Sequence, residues 1–145
     1  MDSTMVRGGA RLLVIGLIAV GCGGVGGQSV FDMEVGMCFD DVAGDEVTSV
    51  PTVDCSEPHD NEVFDIFDYT ESEYPGQDAM NEAARQLCID EFEAYVEITY
   101  QESELEVFAI TPTDQSWEDG DREIICNLFN LDFSKLTSSM RGAAR

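Results

Sequence analysis

Positive charge is nearly missing from this sequence. Seven Lys and Arg stand against 30 Asp and Glu, a formal net charge of −23, and Lys135 is the only lysine. Such a surface repels nucleic acid and anionic lipid headgroups, which excludes a nucleic-acid partner. The same acidity suits a high-salt habitat, so a passive acidic or salt-adapted surface protein is one reading. Histidine is as scarce, with His59 alone. No CxxC pair occurs, so the usual redox and zinc-ribbon signatures are absent. The acidic pairs Asp40-Asp41, Asp45-Glu46 and Glu118-Asp119 lack the alternating oxygens around a glycine that define an EF-hand loop. Among so many acids no carboxylate pair stands out as a glycosidase site. No internal repeat is visible, and no apolar run approaches the roughly 20 residues that a membrane-spanning helix needs. No catalytic residue, metal ligand set or cofactor is therefore assigned.

What is present begins with an export signal. Arg7 and Arg11 precede the uncharged apolar run Leu12–Val20, and Ala19-Val20-Gly21 leads into Cys22. Small residues before a cysteine are what a lipoprotein signal peptidase requires, and only a thiol can accept the diacylglycerol. Ala19 stands where leucine is commoner. Residues 1–21 are expected to be a lipoprotein signal peptide, with Cys22 lipidated and residues 22–33 a glycine-rich tether. Two or three acyl chains on one residue anchor stably, where one chain does not. Cleavage before Cys22 would remove Asp2, Arg7 and Arg11, leaving 29 acids and 5 bases, a net of −24.

Setting Cys22 aside leaves Cys38, Cys55, Cys88 and Cys126. An even count in a small exported domain indicates two disulfides, with three pairings open. The favoured pairing is Cys38–Cys55, joining neighbouring segments, and Cys88–Cys126, stapling a long helix to a late strand. On loop entropy these contribute about 3 and about 4 kcal/mol. Use of these thiols in a redox pair or a zinc site with His59 has weaker support.

At 43% hydrophobic content the chain is that of one modest folded domain. Residues 36–41 and 50–55 each predict a short strand, the second an edge strand because of Pro51. Residues 61–69 predict a central strand, with Val63, Asp65, Phe67 and Tyr69 on one side and Phe64, Ile66 and Asp68 on the other. Residues 78–97 carry apolar positions at spacings of three and four, from Met80 to Val96, and predict a helix capped by Asp78. Residues 105–110 and 123–129 predict strands either side of a polar loop, 113–121. The tail after Asp132, free of acids, is expected to be partly disordered. The fold class is α+β: a small antiparallel sheet of about four strands with one long helix across it.

These residues fall into a recognisable order. Val35-Gly36-x-Cys38-Phe39 is followed by Val53-x-Cys55-x-x-Pro58-His59-Asp60-x-Glu62-Val63-Phe64. Tyr74-Pro75-Gly76, Cys88, Phe92 and Tyr95-Val96 come next. Ser116-Trp117-x-x-Gly120-Asp121-Arg122, Cys126 and Leu136-Thr137-x-Ser139 close the series. This resembles the septum formation domain family of actinobacterial envelope proteins and lipoproteins, over residues 35–142, so residues 34–142 are taken as the domain. The resemblance implies an actinobacterial source, an extracytoplasmic place and a link to division septa, and lipid on Cys22 would make the location the cell membrane, lipid-anchored on its outer face. It implies no established mechanism or ligand. Met37 stands where the family usually has an acid, and Ile98-Thr99 where a glycine is common.

The candidate binding residues are His59, Asp60 and Glu62, and Trp117, Asp121 and Arg122. For His59 the functional reading is a proton-transfer pair or ligand contact with Glu62. The structural reading is a turn opened by Pro58, with His59 bonded to backbone and Asp60 capping the bend. Trp117 either stacks on a sugar or partner or folds onto the core, with Asp121 and Arg122 paired inside a tight turn. The leading function is a non-enzymatic envelope lipoprotein, held to the membrane by its lipid, that binds an envelope or division partner. Its contact surface would be one loop side carrying Pro58-His59-Asp60 and Ser116-Trp117, and alanine at His59 or Trp117 would then leave the melting temperature nearly unchanged. A small wall-modifying hydrolase using His59 and a carboxylate is the alternative.

Overall fold

A computed structural model describes residues 27–44 and 47–145. The expected signal peptide and Cys22 lie outside the described residues. Two antiparallel sheets and one long helix form the domain. Strands β2 (Cys38–Phe39), β4 (Thr52–Val53), β5 (Asn61–Asp68), β6 (Leu105–Ile110) and β7 (Glu123–Asn130) make a five-stranded sheet in the order β4-β2-β5-β7-β6. Strands β1 (Gln28–Ser29) and β3 (Ser49–Val50) pair as a separate two-stranded ribbon. The main sheet has five strands where about four were expected, one from each of the five predicted segments; Pro51 separates β3 from β4, so the segment 49–53 serves both the ribbon and the edge of the main sheet.

Helix α1 (Gln77–Val96) crosses one face of the sheet. Met80, Ala84, Cys88, Phe92 and Val96 recur every four residues, and all are buried against Phe64, Val107, Ile124 and Leu128. Phe92 meets Phe64 edge-on with ring centroids 5.9 Å apart. The helix starts at Gly76, whose φ of 93° only glycine adopts readily, with no side-chain cap. Asp78 thus sits inside the first turn, where it complements the helix dipole, rather than capping it. The opposite sheet face is covered by the N-terminal ribbon: Val30, Met33 and Val50 pack on Phe39, Val63 and Ile125. Residues 28–33 therefore belong to the domain and not to the tether, since Val30 and Met33 complete this second core.

Strand β5 does not alternate strictly. Val63 pairs with Asn127 and Asp65 with Cys126, which leaves Phe64 as an extra residue. This bulge reverses the phase: Val63 and Ile66 face the ribbon, while Phe64, Phe67 and Tyr69 face the helix. Strict alternation had placed Val63 with Phe67.

Both disulfides form as paired in the sequence, Cys38–Cys55 and Cys88–Cys126. The second ties the buried middle of α1 to β7. The C-terminal tail is ordered, contrary to expectation, because it closes open ends of the fold. Leu136 exchanges two backbone hydrogen bonds with His59, and the N–H groups of Gly142 and Ala144 donate to the last carbonyls of α1, Tyr95 and Val96, each at 2.8 Å. Those carbonyls have no partner within the helix.

Candidate functional site

His59 and Glu62 flank the start of β5, and both are fully buried, at 0% exposure. Three donors converge on the Glu62 carboxylate: the Tyr95 hydroxyl at 2.6 Å, the Ser139 hydroxyl at 2.5 Å and the Met140 N–H at 2.7 Å. Burial raises the Tyr95 phenol well above its ordinary value, and the bond to Glu62 adds to the rise. The His59 Nδ1 lies 2.7 Å from the Glu57 carbonyl, so Nδ1 carries the proton and donates. Its Nε2 has no hydrogen-bond partner among the described residues. Asp60 does not cap its own bend; its carboxylate accepts the Asp41 N–H at 3.0 Å and pairs with Lys135 at 2.8 Å. Burial pushes the Asp60 carboxyl up, but Lys135 and the Asp41 N–H outweigh it and hold the group below its usual range.

The second expected cluster lies elsewhere. Thr113 caps a short helix, α2 (Asp114–Glu118), within the segment expected to be loop. Trp117 folds onto the core at 9% exposure, between Tyr69 and Tyr74, with the Arg122 guanidinium 3.4 Å above its ring. Arg122 donates to the carbonyls of Trp117 and Asp121, not to the Asp121 carboxylate, which instead accepts from the Ser116 hydroxyl and the Glu123 N–H. Tyr69 donates its N–H to the Arg122 carbonyl at the far end of β5 from His59. Eight strand residues separate the two clusters, roughly 25 Å. No single loop side carries both, and neither His59 nor Trp117 presents a surface.

A third place has the geometry of a binding site. Phe108 of β6, Phe129 of β7 and Phe133 just beyond it form an aromatic ledge, with centroids 5.9 and 5.5 Å apart in sequence. The ledge walls a cleft of about 290 Å³ whose opposite wall carries Asp41, Asp60 and Asn61. A larger hollow of about 400 Å³ meets it at Phe108 and runs under the exposed Phe31. Neither is lined by His59 or Glu62. Phe133 is 81% exposed and has a left-handed backbone, φ 60°. A bulky residue there is disfavoured by roughly 1–2 kcal/mol, so the local structure imposes it. The Phe133 N–H donates to the Asn130 carbonyl, Asp132 accepts from the N–H and hydroxyl of Ser134, and the Asn130 amide donates to Ser134. Sequence reading passed over this site; the signal available was a phenylalanine set between Asp132 and Ser134.

Charge over the described part of the molecule is one-sided. Among the described residues Lys135 bridges Asp40 and Asp60, Arg85 pairs with Glu106, and Arg145 approaches Glu104. Arg122 and Arg141 lie over Trp117 and Tyr95. All five bases are thus engaged internally, while most acids have no cationic partner. Burial pushes Glu106 up, yet the Tyr100 hydroxyl, the Val107 N–H and Arg85 outweigh it and hold it below its usual range.

The architecture is that of a disulfide-stapled α+β domain with an acidic surface and an aromatic cleft. The chain belongs to the septum formation family, which matches it over residues 28–145, the whole of the folded part from β1 through the tail. Membership ties it to septum formation, hence to cell division and the envelope in which septa are built. No curated protein and no solved structure matches the chain. Among the described residues no helix is long and apolar enough to cross a membrane.

Proposed function

We propose that this chain is a non-catalytic, lipid-anchored module on the outer face of the membrane that acts in septum formation by holding a partner in the Phe108–Phe129–Phe133 cleft. The carrying observation is Phe133, kept 81% exposed on a left-handed backbone; strain of this kind persists where surrounding contacts enforce it, and it clusters at binding sites. Charge selects the occupant. Every base among the described residues is used internally, so the partner supplies the cations, and the aromatic wall takes an apolar anchor. A segment of an envelope protein that carries Lys or Arg beside Phe or Leu fits both demands. The burial of His59 and Glu62, away from either hollow, supports a binding role over the hydrolase alternative.

Phe133→Gly tests this. Glycine accepts the left-handed backbone, and a mostly exposed ring contributes little to the core, so stability should hold or rise slightly. Binding of a basic, apolar peptide, followed by amide shifts at Phe129 and Phe133, should fall about tenfold or more, the order of a hot-spot residue. Septal accumulation of the tagged chain should fall with it. Equal peptide binding by Phe133→Gly, or shifts that bypass the ledge, would overturn the assignment.

A further inference from the structure

The Cys38–Cys55 disulfide closes over a set of donors that no role described so far absorbs. Cys38 pairs directly with Glu62 across β2 and β5. The Cys38 sulfur, a ring nitrogen of His59 and a carboxylate oxygen of Glu62 all lie within 4.8 Å of one another, and all three residues are buried. Cys55 is bonded to Cys38 and so stands at the same point, on a partly exposed turn.

The histidine is set up as a ligand. Its Nδ1 proton is engaged by the Glu57 carbonyl, which leaves Nε2 with a free lone pair, the arrangement usual for a metal-bound imidazole. That Nε2 is buried without a partner. A buried orphan acceptor is destabilising, and nothing among the described residues relieves it. The Glu62 carboxylate is oriented in turn by Tyr95, Ser139 and Met140, the outer support that ligating carboxylates normally have.

We propose that reduction of the Cys38–Cys55 disulfide turns this cluster into a zinc site formed by Cys38, Cys55, His59 and Glu62. Two thiolates, an imidazole and a carboxylate select zinc over calcium or magnesium, which take oxygen ligands. Tetrahedral zinc spaces its donors about 3.5 Å apart, so His59 and Glu62 need only small shifts from their present places within 4.8 Å of the Cys38 sulfur, while the two sulfurs, bonded to each other in the oxidised form, separate. The oxidised form excludes the ion because neither sulfur is a thiolate. Opening starts at Cys55, the less buried of the two cysteines: a reducing dithiol attacks its sulfur and releases Cys38. Its second thiol then frees Cys55 and closes to a disulfide. Two electrons and two protons pass to the two cysteines, and zinc displaces those protons on binding. The second disulfide has no such part. Cys88 and Cys126 join no comparable donor group among the described residues. The chain then has two states, a disulfide-locked one and a zinc-held one, which share the β2–β5 end of the sheet.

The test uses the full chain, oxidised or reduced with a phosphine that leaves as its oxide, titrated with cobalt(II) as a zinc probe. One equivalent should bind to the reduced chain, with a thiolate-to-cobalt charge-transfer band and tetrahedral ligand-field bands, and be displaced by zinc. The oxidised chain should show neither band. His59→Gln should weaken binding about tenfold or more, as even loss of an outer support does, and should shift the ligand-field bands. A reduced chain that unfolds and regains its circular dichroism with cobalt also supports the site. Absence of the thiolate band in the reduced chain, folded or not, would overturn it. So would unchanged affinity in His59→Gln, or equal binding by the oxidised chain.

Discussion

Replacing Glu62 by glutamine changes one atom and should strongly destabilise the domain. The carboxylate is fully buried and accepts from Tyr95, Ser139 and Met140. Tyr95 and Ser139 donate to one oxygen and Met140 to the other. The amide can keep its oxygen toward the two hydroxyls, but its nitrogen then faces the Met140 N–H, donor against donor. That forfeits one hydrogen bond to a charged acceptor, about 1.5–3 kcal/mol, and reduces the other two to neutral strength, roughly another 1 kcal/mol together. The sum is about 3 kcal/mol or more, which for a domain of this size lowers the melting temperature by about 10 °C. The loss should be localised. Met140 leads into Gly142 and Ala144, whose N–H groups close the C-terminal end of α1, so hydrogen exchange at these amides should accelerate before that of β5 or β7. Thermal melts of the full chain, with exchange followed residue by residue, check both parts. A melting temperature lowered by only a degree or two, or unchanged protection at Gly142 and Ala144, would refute the reasoning. A more stable Glu62→Gln would show that the buried charge outweighs its hydrogen bonds.

Trp117→Ala should remove the filling between Tyr69, Tyr74 and Arg122 and destabilise by about 3 kcal/mol, read as a lowered urea midpoint; an unchanged midpoint would favour the other of its two readings, a ring that stacks on a sugar or partner. Glu97 caps α1 with φ 68°, so Glu97→Gly should raise the melting temperature by a few degrees, about 0.5–1 kcal/mol, and a lowered one would show that its side chain holds the tail. Because Glu106 is held below its usual range, the folded state releases its proton more readily than the unfolded chain. Its contribution is present above the unfolded value and is lost as pH falls through the folded one. Tyr100→Phe should flatten that acid limb in a plot of melting temperature against pH, and an unchanged limb would assign it to other carboxylates.

Local pattern made much of this fold legible. The four-residue recurrence from Met80 to Val96 identifies α1 to within a residue at each end, because helix periodicity is a property of consecutive residues. Pairing Cys38 with Cys55 and Cys88 with Cys126 followed from which segments become neighbours. The structural readings of His59, bonded to backbone, and of Trp117, folded onto the core, are the ones the structure shows; what misled was placing both on one contact surface. His59, Glu62 and Trp117 lie in polar surroundings in the sequence, yet burial of each is arranged by partners distant in the chain: Glu62 by Ser139 and Met140, Trp117 by Tyr69 and Tyr74. The helix end is a similar case: the left-handed position after Val96, where helices commonly carry glycine, is held by Glu97.

Composition and spacing alone therefore determined the acidity, the disulfide count and the fold class, since each depends on residue types and on intervals along one stretch of chain. Tertiary structure alone decided the bulge at Phe64, which sets the faces of β5, and the ordering of the tail over the open carbonyls of α1. It also decided that Phe108, Phe129 and Phe133 align while His59 and Trp117 are buried at opposite ends of one strand. These depend on cross-strand register and on contacts between residues up to 78 positions apart, as between Glu62 and Met140, and such contacts leave no periodic trace in the sequence.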